Sequence, residues 1–364
     1  MKDFTQAYKS KLTTPEVAVG RIASGITLSM GMAMTEPPAL LKALADRASA
    51  GKVDDLKIYY CESTSIAGDT ILRYELTDRI HPYCMFISSV ERDLIKQGEQ
   101  DGGRKVVSYV PANFSHFPRI LTEHIGIDTF LITVSPMDKH GYFSLGTGND
   151  YSSKVARAAR HLIVEVNHQM PRVYGSLAQV HVSEVEAIIE NNVPLPELPI
   201  RKAAEEDTII GGIIAKMVPD GACLQMGVGA LPDLVCSQLK DRKDLGIHTE
   251  ALCPGMVDLI EAGVVTNRRK RLNLGKTVYT FAMGQKAMYD FLNDNPSVES
   301  HPVDYVNDPY VISQNDNVHS INAALQIDLT GAVNAEHLVV LRAHAEPGDS
   351  GIGMRERQVP ALAE

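Results

Sequence analysis

Residues 24–46 and 220–241 repeat one pattern, and that repeat constrains the fold more than any other feature of the chain. The first copy runs Ser24-Gly25-Ile26-Thr27-Leu28-Ser29-Met30-Gly31, then Pro37 and Leu40-Leu41-Lys42-Ala43-Leu44. The second runs Asp220-Gly221-Ala222-Cys223-Leu224-Gln225-Met226-Gly227, then Pro232 and Leu234-Val235-Cys236-Ser237-Gln238-Leu239. An echo follows each copy: Asp55-Leu56-Lys57-Ile58 and Asp244-Leu245-Gly246-Ile247. Each reads as a turn, a short buried strand, a glycine loop, an amphipathic helix and another strand. Two open α/β halves of like design place a ligand where strand ends meet loops. With the second strands aligned, Cys61 stands where Glu250 stands in the other half.

A chain of 364 residues is long enough for two such halves with full cores. Its net charge of −10 argues against nucleic acid as a partner, because phosphate backbones call for a basic surface. No apolar run approaches the length of a membrane span, and Met-Lys-Asp-Phe-Thr-Gln at the N-terminus is no signal peptide. The five cysteines (Cys61, Cys84, Cys223, Cys236, Cys253) are odd in number and lack CxxC spacing. Reduced thiols in a cytoplasmic protein are the expectation.

Thr14-Pro15-Glu16 supplies an N-cap and a first-turn proline for a helix over 14–23. The runs 106–110 and 129–134 suit central strands, with helical spacing between them from Phe117 to His124. Residues 155–160 read as helix and 162–166 as strand, a βαβ rhythm that favours a mostly parallel sheet. Three prolines in six residues at 194–199 mark a linker over 193–200, separating an N-terminal domain (1–192) from a C-terminal one (201–338). A helix is expected from near Arg201 through Lys216. Residues 339–364 lose all periodicity and form an atypical tail.

Gly227-Val228-Gly229, between a predicted strand and a predicted helix, can present backbone N–H groups to an anion or oxyanion. The plainer alternative is a tight turn that needs glycine for steric reasons. No third glycine follows at dinucleotide-binding spacing. Gly246-Ile247-His248-Thr249-Glu250 sets a carboxylate at the neighbouring strand end, where it could attack an activated acyl group; a capping or ion-paired glutamate is the alternative. His140-Gly141-Tyr142 reads as a turn, Arg268-Arg269-Lys270-Arg271 as a solvated charge run, and His248 as a packed histidine. No P-loop, HExxH or zinc spacing is present, and Ser144 and Ser153 lack a nucleophile-elbow context.

Longer motifs sharpen this reading. They are 134–142 (Val-Ser-Pro-Met-Asp-Lys-His-Gly-Tyr), Glu165-Val166-Asn167, 224–233 (Leu-Gln-Met-Gly-Val-Gly-Ala-Leu-Pro-Asp), 245–250 (Leu-Gly-Ile-His-Thr-Glu), 302–309 (Pro-Val-Asp-Tyr-Val-Asn-Asp-Pro) and 328–331 (Asp-Leu-Thr-Gly). In these, residues 1–338 resemble the acetyl-CoA hydrolase/transferase family, most closely its 4-hydroxybutyrate (butyrate/acetate) CoA-transferase branch. The resemblance implies an α/β fold of two similar CoA-transferase-type domains, each a mostly parallel sheet flanked by helices, with the active site between them. It assigns the nucleophile to Glu250, a backbone oxyanion donor to Val228, and an acyl-site position to Asn307. It assigns contacts with coenzyme A to Gly227, Val228, Gly229, Ala230 and Leu231.

The implied chemistry is ping-pong exchange through a glutamyl-CoA thioester, with acyl-CoA and a short carboxylate (acetate, butyrate or 4-hydroxybutyrate) as substrates. It needs no metal and no permanently bound cofactor. A cytoplasmic homodimer is implied as well. The chain departs from the family at Leu252-Cys253-Pro254-Gly255, where a Ser-Asp-Gly type of turn is usual. It departs again beyond about His337, where the family continues through a Gly-Gly-Gln segment. The change points to a frameshift or truncation there, leaving the second domain incomplete. An acyl-CoA hydrolase and an inactive CoA-binding remnant are the alternative readings.

Overall fold

The computed structural model describes residues 4–199, 204–324 and 326–334. Five strands of the first half, β1 (Thr27–Met30), β2 (Leu56–Tyr60), β3 (Ile80–Cys84), β4 (Ser108–Tyr109) and β5 (Thr129–Val134), are followed by β6 (Tyr142–Ser144), β7 (His161–Val166), β8 (Gln179–His181) and β9 (Ala187–Glu190). Seven of them form one parallel sheet in the order β4-β3-β2-β1-β5-β7-β9, while β6 and β8 form a separate antiparallel pair. β5, Thr-Phe-Leu-Ile-Thr-Val, is buried at all six positions, as a strand covered on both faces must be. The helix Pro38–Ser49 buries Leu40, Leu41, Leu44, Ala45 and Ala48 against the sheet. Its first turn is capped from β7: Glu165 accepts the Ala39 and Leu40 N–H groups, each at 3.0 Å from Oε2.

The second half repeats this plan. Its strands are β10 (Cys223–Met226), β11 (Gly246–Ile247), β12 (Ala251–Leu252), β13 (Thr277–Tyr279), β14 (Phe281–Ala282), β15 (Val298–Ser300) and β16 (Val318–Ile321). β11, β10 and β16 form a parallel sheet, and the bridge His248↔Val278 carries it on to β13 and β15. The order β16-β10-β11-β13-β15 thus retraces β5-β1-β2-β3-β4. A small hairpin, β17 (Gln326–Ile327) and β18 (Val333–Asn334), follows.

The backbone preserves the duplication in detail. Gly25 and Gly221 have φ of 78° and 76°, and Asp55 and Asp244 have 51° and 54°. Thr27 pairs with Lys57, and Cys223 with Gly246, the same register in both halves. Gly25 N–H bonds the Asp54 carbonyl, and Gly221 N–H that of Lys243.

The halves share a core. Phe281, Met283, Tyr289 and Val303 of the second pack with Phe114, Phe130 and Tyr151 of the first. Residues 191–199 hold no regular structure, yet they are tied to the second half: Leu198 N–H bonds the Gly284 carbonyl, and Tyr289 Oη donates to the Pro196 carbonyl. All five cysteines are free and buried. Among the described residues no helix is long and apolar enough to cross a membrane.

Several predicted elements differ in extent. The helix expected over 14–23 stops at Val19, before Gly20, and the strand at 106–110 shrinks to Ser108–Tyr109. The segment from Phe117 is helical to Arg119 and then widens into a π-turn, Ile120–Ile125, ended by Gly126 at φ 70°. The helix expected through Lys216 runs Glu205–Met217. The atypical tail lies outside the described residues.

Candidate active site

Glu250 follows β11, and the strand owes its path to a buried lysine. A Cβ on Gly246 would lie 2.7 Å from Lys270 Cγ, so glycine lets the lysine pass beneath the strand. Lys270 Nζ donates at 2.7 Å to both the Ile247 and Lys276 carbonyls, stitching β11 to the residue before β13. Burial lowers its pKa to about 8. The charge run 268–271 is therefore solvated only at Arg268, Arg269 and Arg271. Its third member is a core residue.

The Glu250 carbonyl accepts N–H groups from Thr280 and Phe281, at 2.9 and 3.2 Å. Its carboxylate accepts the Asn307 side-chain amide at Oε2. Burial raises the Glu250 pKa to about 8, against the lowering effect of that hydrogen bond, and the charge of Glu62 raises it further. Glu62, just beyond β2, is itself raised to about 7, first by burial and then by Glu91. The repeat aligned Cys61 with Glu250, but the carboxyl that answers it across the halves belongs to the next residue. Cys61 is buried beside both, its thiol pushed far up by burial first and then by the two carboxylates.

The glycine loop stands on the same rim. Met226 N–H reaches Thr249 Oγ1 at 3.3 Å, so β10 ends level with the residue before Glu250. Gly227 N–H is tied to the Ile321 carbonyl. Val228 is 46% exposed, and its N–H makes no hydrogen bond among the described residues. Gly229, at φ 138°, turns the chain into the helix Ala230–Ser237, which includes Leu231. The matching loop of the first half is closed: a 3-10 turn, Ala33–Thr35, folds over it and is buried. The duplicated fold thus leaves one strand-end loop open, next to the strand that carries Glu250.

Asn307 ends the one-turn helix Val303–Val306 and is 6% exposed. His248 is buried, with Nε2 2.8 Å from the Val306 carbonyl, so that nitrogen donates. Burial lowers its pKa to about 4, and it stays neutral near pH 7, as a packed histidine does. The turn at His140 is held by Asp138 Oδ1, which accepts the His140 and Tyr142 N–H groups. It packs on His181 and Phe4. Ser144 and Ser153 are fully buried.

A carboxylate of raised basicity, an amide donor on it and an unengaged backbone N–H on the adjacent strand end together suit acyl transfer to an oxygen nucleophile. The profile for the acetyl-CoA hydrolase/transferase N-terminal domain matches residues 1–199, and that for the C-terminal domain matches residues 284–351. The chain belongs to the acetyl-CoA hydrolase/transferase family. It is 39% identical over 337 residues to the succinyl-CoA:cyclohexane-1-carboxylate CoA transferase of Geobacter metallireducens, spanning 92% of this chain and 74% of that protein. It is 37% identical over 337 residues to the 4-hydroxybutyrate coenzyme A transferase of Clostridium kluyveri, spanning 92% and 76%. The crystal structure of RipA from Yersinia pestis superposes with a TM-score of 0.91 at 67% identity, covering 92% of this chain and 77% of that one.

Of the residues singled out from sequence, the structure brings Glu250 and Asn307 into contact and sets Gly227–Leu231 on the adjoining strand end. Glu62 and Lys270 were missed. The repeat held the signal for Glu62, one residue out of step. Nothing local marks Lys270, whose acceptors are the end of β11 and the residue before β13.

Proposed function

We propose that this chain is an acyl-CoA:carboxylate CoA-transferase of the 4-hydroxybutyrate, butyrate or acetate type, working through Glu250. The observation that carries this reading is the Asn307-held carboxylate on the rim beside the unengaged Val228 N–H. A Glu250 oxygen attacks the thioester carbonyl of the donor and expels CoA thiolate, leaving an acyl-glutamyl anhydride. The thiolate attacks the glutamyl carbonyl, releases the donor's carboxylate and leaves a glutamyl-CoA thioester. The acceptor carboxylate attacks that thioester, and the freed thiolate takes the new acyl group, restoring Glu250.

The Val228 N–H would meet the oxygen that becomes negative in each addition; removing such a donor costs about 100- to 1,000-fold in rate. Glu62 contributes through charge. Ionised Glu250 is opposed by its neighbour, and acylation removes that repulsion by making Glu250 neutral. Residues 227–231 would hold the CoA chain, whose remote contacts help reach the strained intermediates. The family resemblance also carries the expectation of a homodimer, which sedimentation of the purified protein checks.

Incubation with donor acyl-CoA alone, then borohydride, should reduce a thioester at residue 250 to the alcohol, seen as a mass change in its peptide. Glu250→Ala should abolish both that change and acyl exchange. An unmodified Glu250 peptide overturns the mechanism. Release of free CoA at the same rate with and without acetate makes the protein a hydrolase instead.

A further inference from the structure

The Asn307 amide is held over Glu250 by its backbone. Its Nδ2 donates to Glu250, while its Oδ1 is buried with no partner among the described residues. What fixes the one-turn helix before it therefore fixes the amide. The Asn307 N–H bonds the Val303 carbonyl at 2.9 Å, and the Val303 N–H reaches back to the Asp150 carbonyl of the first half at 3.2 Å. The last carbonyl of the turn, that of Val306, takes the Nε2 proton of His248 at 2.8 Å.

His248 lies two residues before Glu250, so a closed circuit results. It runs from Glu250 to Asn307, through Val306 to His248, and back along the strand. Tyr305 braces the circuit from outside. Its ring stacks on His301 at 4.9 Å and lies 6.3 Å from His248, and its hydroxyl donates to Asn273 Oδ1 at 2.8 Å.

We propose that His248 is a positioning residue for acyl transfer: its imidazole N–H locks the Val303–Val306 turn to the nucleophile strand and so keeps the Asn307 amide on the Glu250 carboxylate. This rests on the reading of Glu250 as nucleophile. His248 neither touches substrate nor carries a proton in the reaction. Loss of the lock frees Asn307, and a carboxylate without its donor ionises at higher pH. The titratable groups facing Glu250 are Glu62 and Cys61. Lys270 and His301 face His248.

The test compares His248→Gln, whose amide nitrogen can donate where Nε2 does, with His248→Met, which fills the space and donates nothing. The Glu250 titration midpoint is read by difference infrared spectroscopy against Glu250→Gln made in each background, and acyl exchange is followed from pH 6 to 9.5. His248→Met should raise the midpoint by about one unit, which is about tenfold less ionised nucleophile at pH 7. Its exchange rate should recover toward that of the parent protein above pH 9, and His248→Gln should keep the parent's midpoint. Tyr305→Leu, at a half-buried position, should shift the midpoint in the same direction and serves if His248→Met does not fold. An unchanged midpoint in His248→Met or in Tyr305→Leu, or equal loss in the Gln and Met variants at every pH, overturns the proposal. Failure of the parent protein to exchange acyl groups would instead sink the reading of Glu250 as nucleophile, while the infrared midpoints still decide the role of His248.

Discussion

Thr280 joins the backbone at Glu250 to the opposite half: its N–H donates at 2.9 Å to the Glu250 carbonyl, and its own carbonyl accepts the Asn149 and Asp150 N–H groups at 3.1 and 3.2 Å. Asn149 also donates through Nδ2 to the Ser300 carbonyl at 2.9 Å. The segment that carries Glu250 is thus seated by residues of the other half. Its geometry depends on how closely the halves approach.

Gly175 makes that approach possible. At φ 130° it lies against β15, and a Cβ there would sit 1.9 Å from the Ser300 carbonyl oxygen. Neither backbone can give way without opening the interface. Gly175→Ala should cost about 3 kcal/mol and lower the rate of acyl exchange. Urea unfolding with an activity assay on the folded fraction checks it; parent-like stability would show that the contact yields.

The pH dependence of exchange should be set by Glu250 and Glu62, whose charges oppose each other across the halves. In the proposed mechanism Glu250, raised to about 8, attacks in its ionised form, so the rate should climb from pH 6 toward a plateau above pH 8. Glu62→Gln removes the like charge and should move that limb down by about half a unit. A limb that stays put, measured as kcat/KM for the donor, would mean that Glu62 does not act on Glu250.

Stability should carry the same signature with the sign that burial dictates. The folded pKa of Glu250 lies above its ordinary 4.5, so between those values the native state holds the extra proton. Stability therefore falls as pH rises through that window and is unaffected below it. Glu250→Gln removes this loss. The variant should match the parent near pH 4 and exceed it by at least about 2 kcal/mol at pH 9, measured by denaturant midpoints. Equal stability at both ends would place the carboxylate in a more solvated setting.

Much of this architecture could be read from residues. The turns at Gly25 and Gly221 mark the duplication, and Thr-Phe-Leu-Ile-Thr-Val gives away a central strand because nothing in it suits water. Glu250, Asn307 and the 227–231 loop followed from motif resemblance. What escaped depended on contacts distant in sequence. Lys270 reads as one charge among four until the Ile247 and Lys276 carbonyls are brought to it. Glu62 was overlooked because matching strands in register matched Cys61 instead. The widened turn at Ile120–Ile125 keeps helical spacing in its apolar residues, so pattern alone could not separate it from an ordinary helix.

The paired turns let one molecule act as its own control. A methyl added at Gly25 meets only Asp55 Oδ2, at 3.9 Å, whereas at Gly221 it runs into Arg269 Cδ at 2.4 Å. Both sites share nearly the same left-handed torsion, which alone costs an alanine about 1 kcal/mol. Gly25→Ala should show that cost and little else in chemical denaturation, and Gly221→Ala should show more. The excess reports how far the guanidinium arm resists being displaced, with torsional strain subtracted by the twin site rather than by calculation.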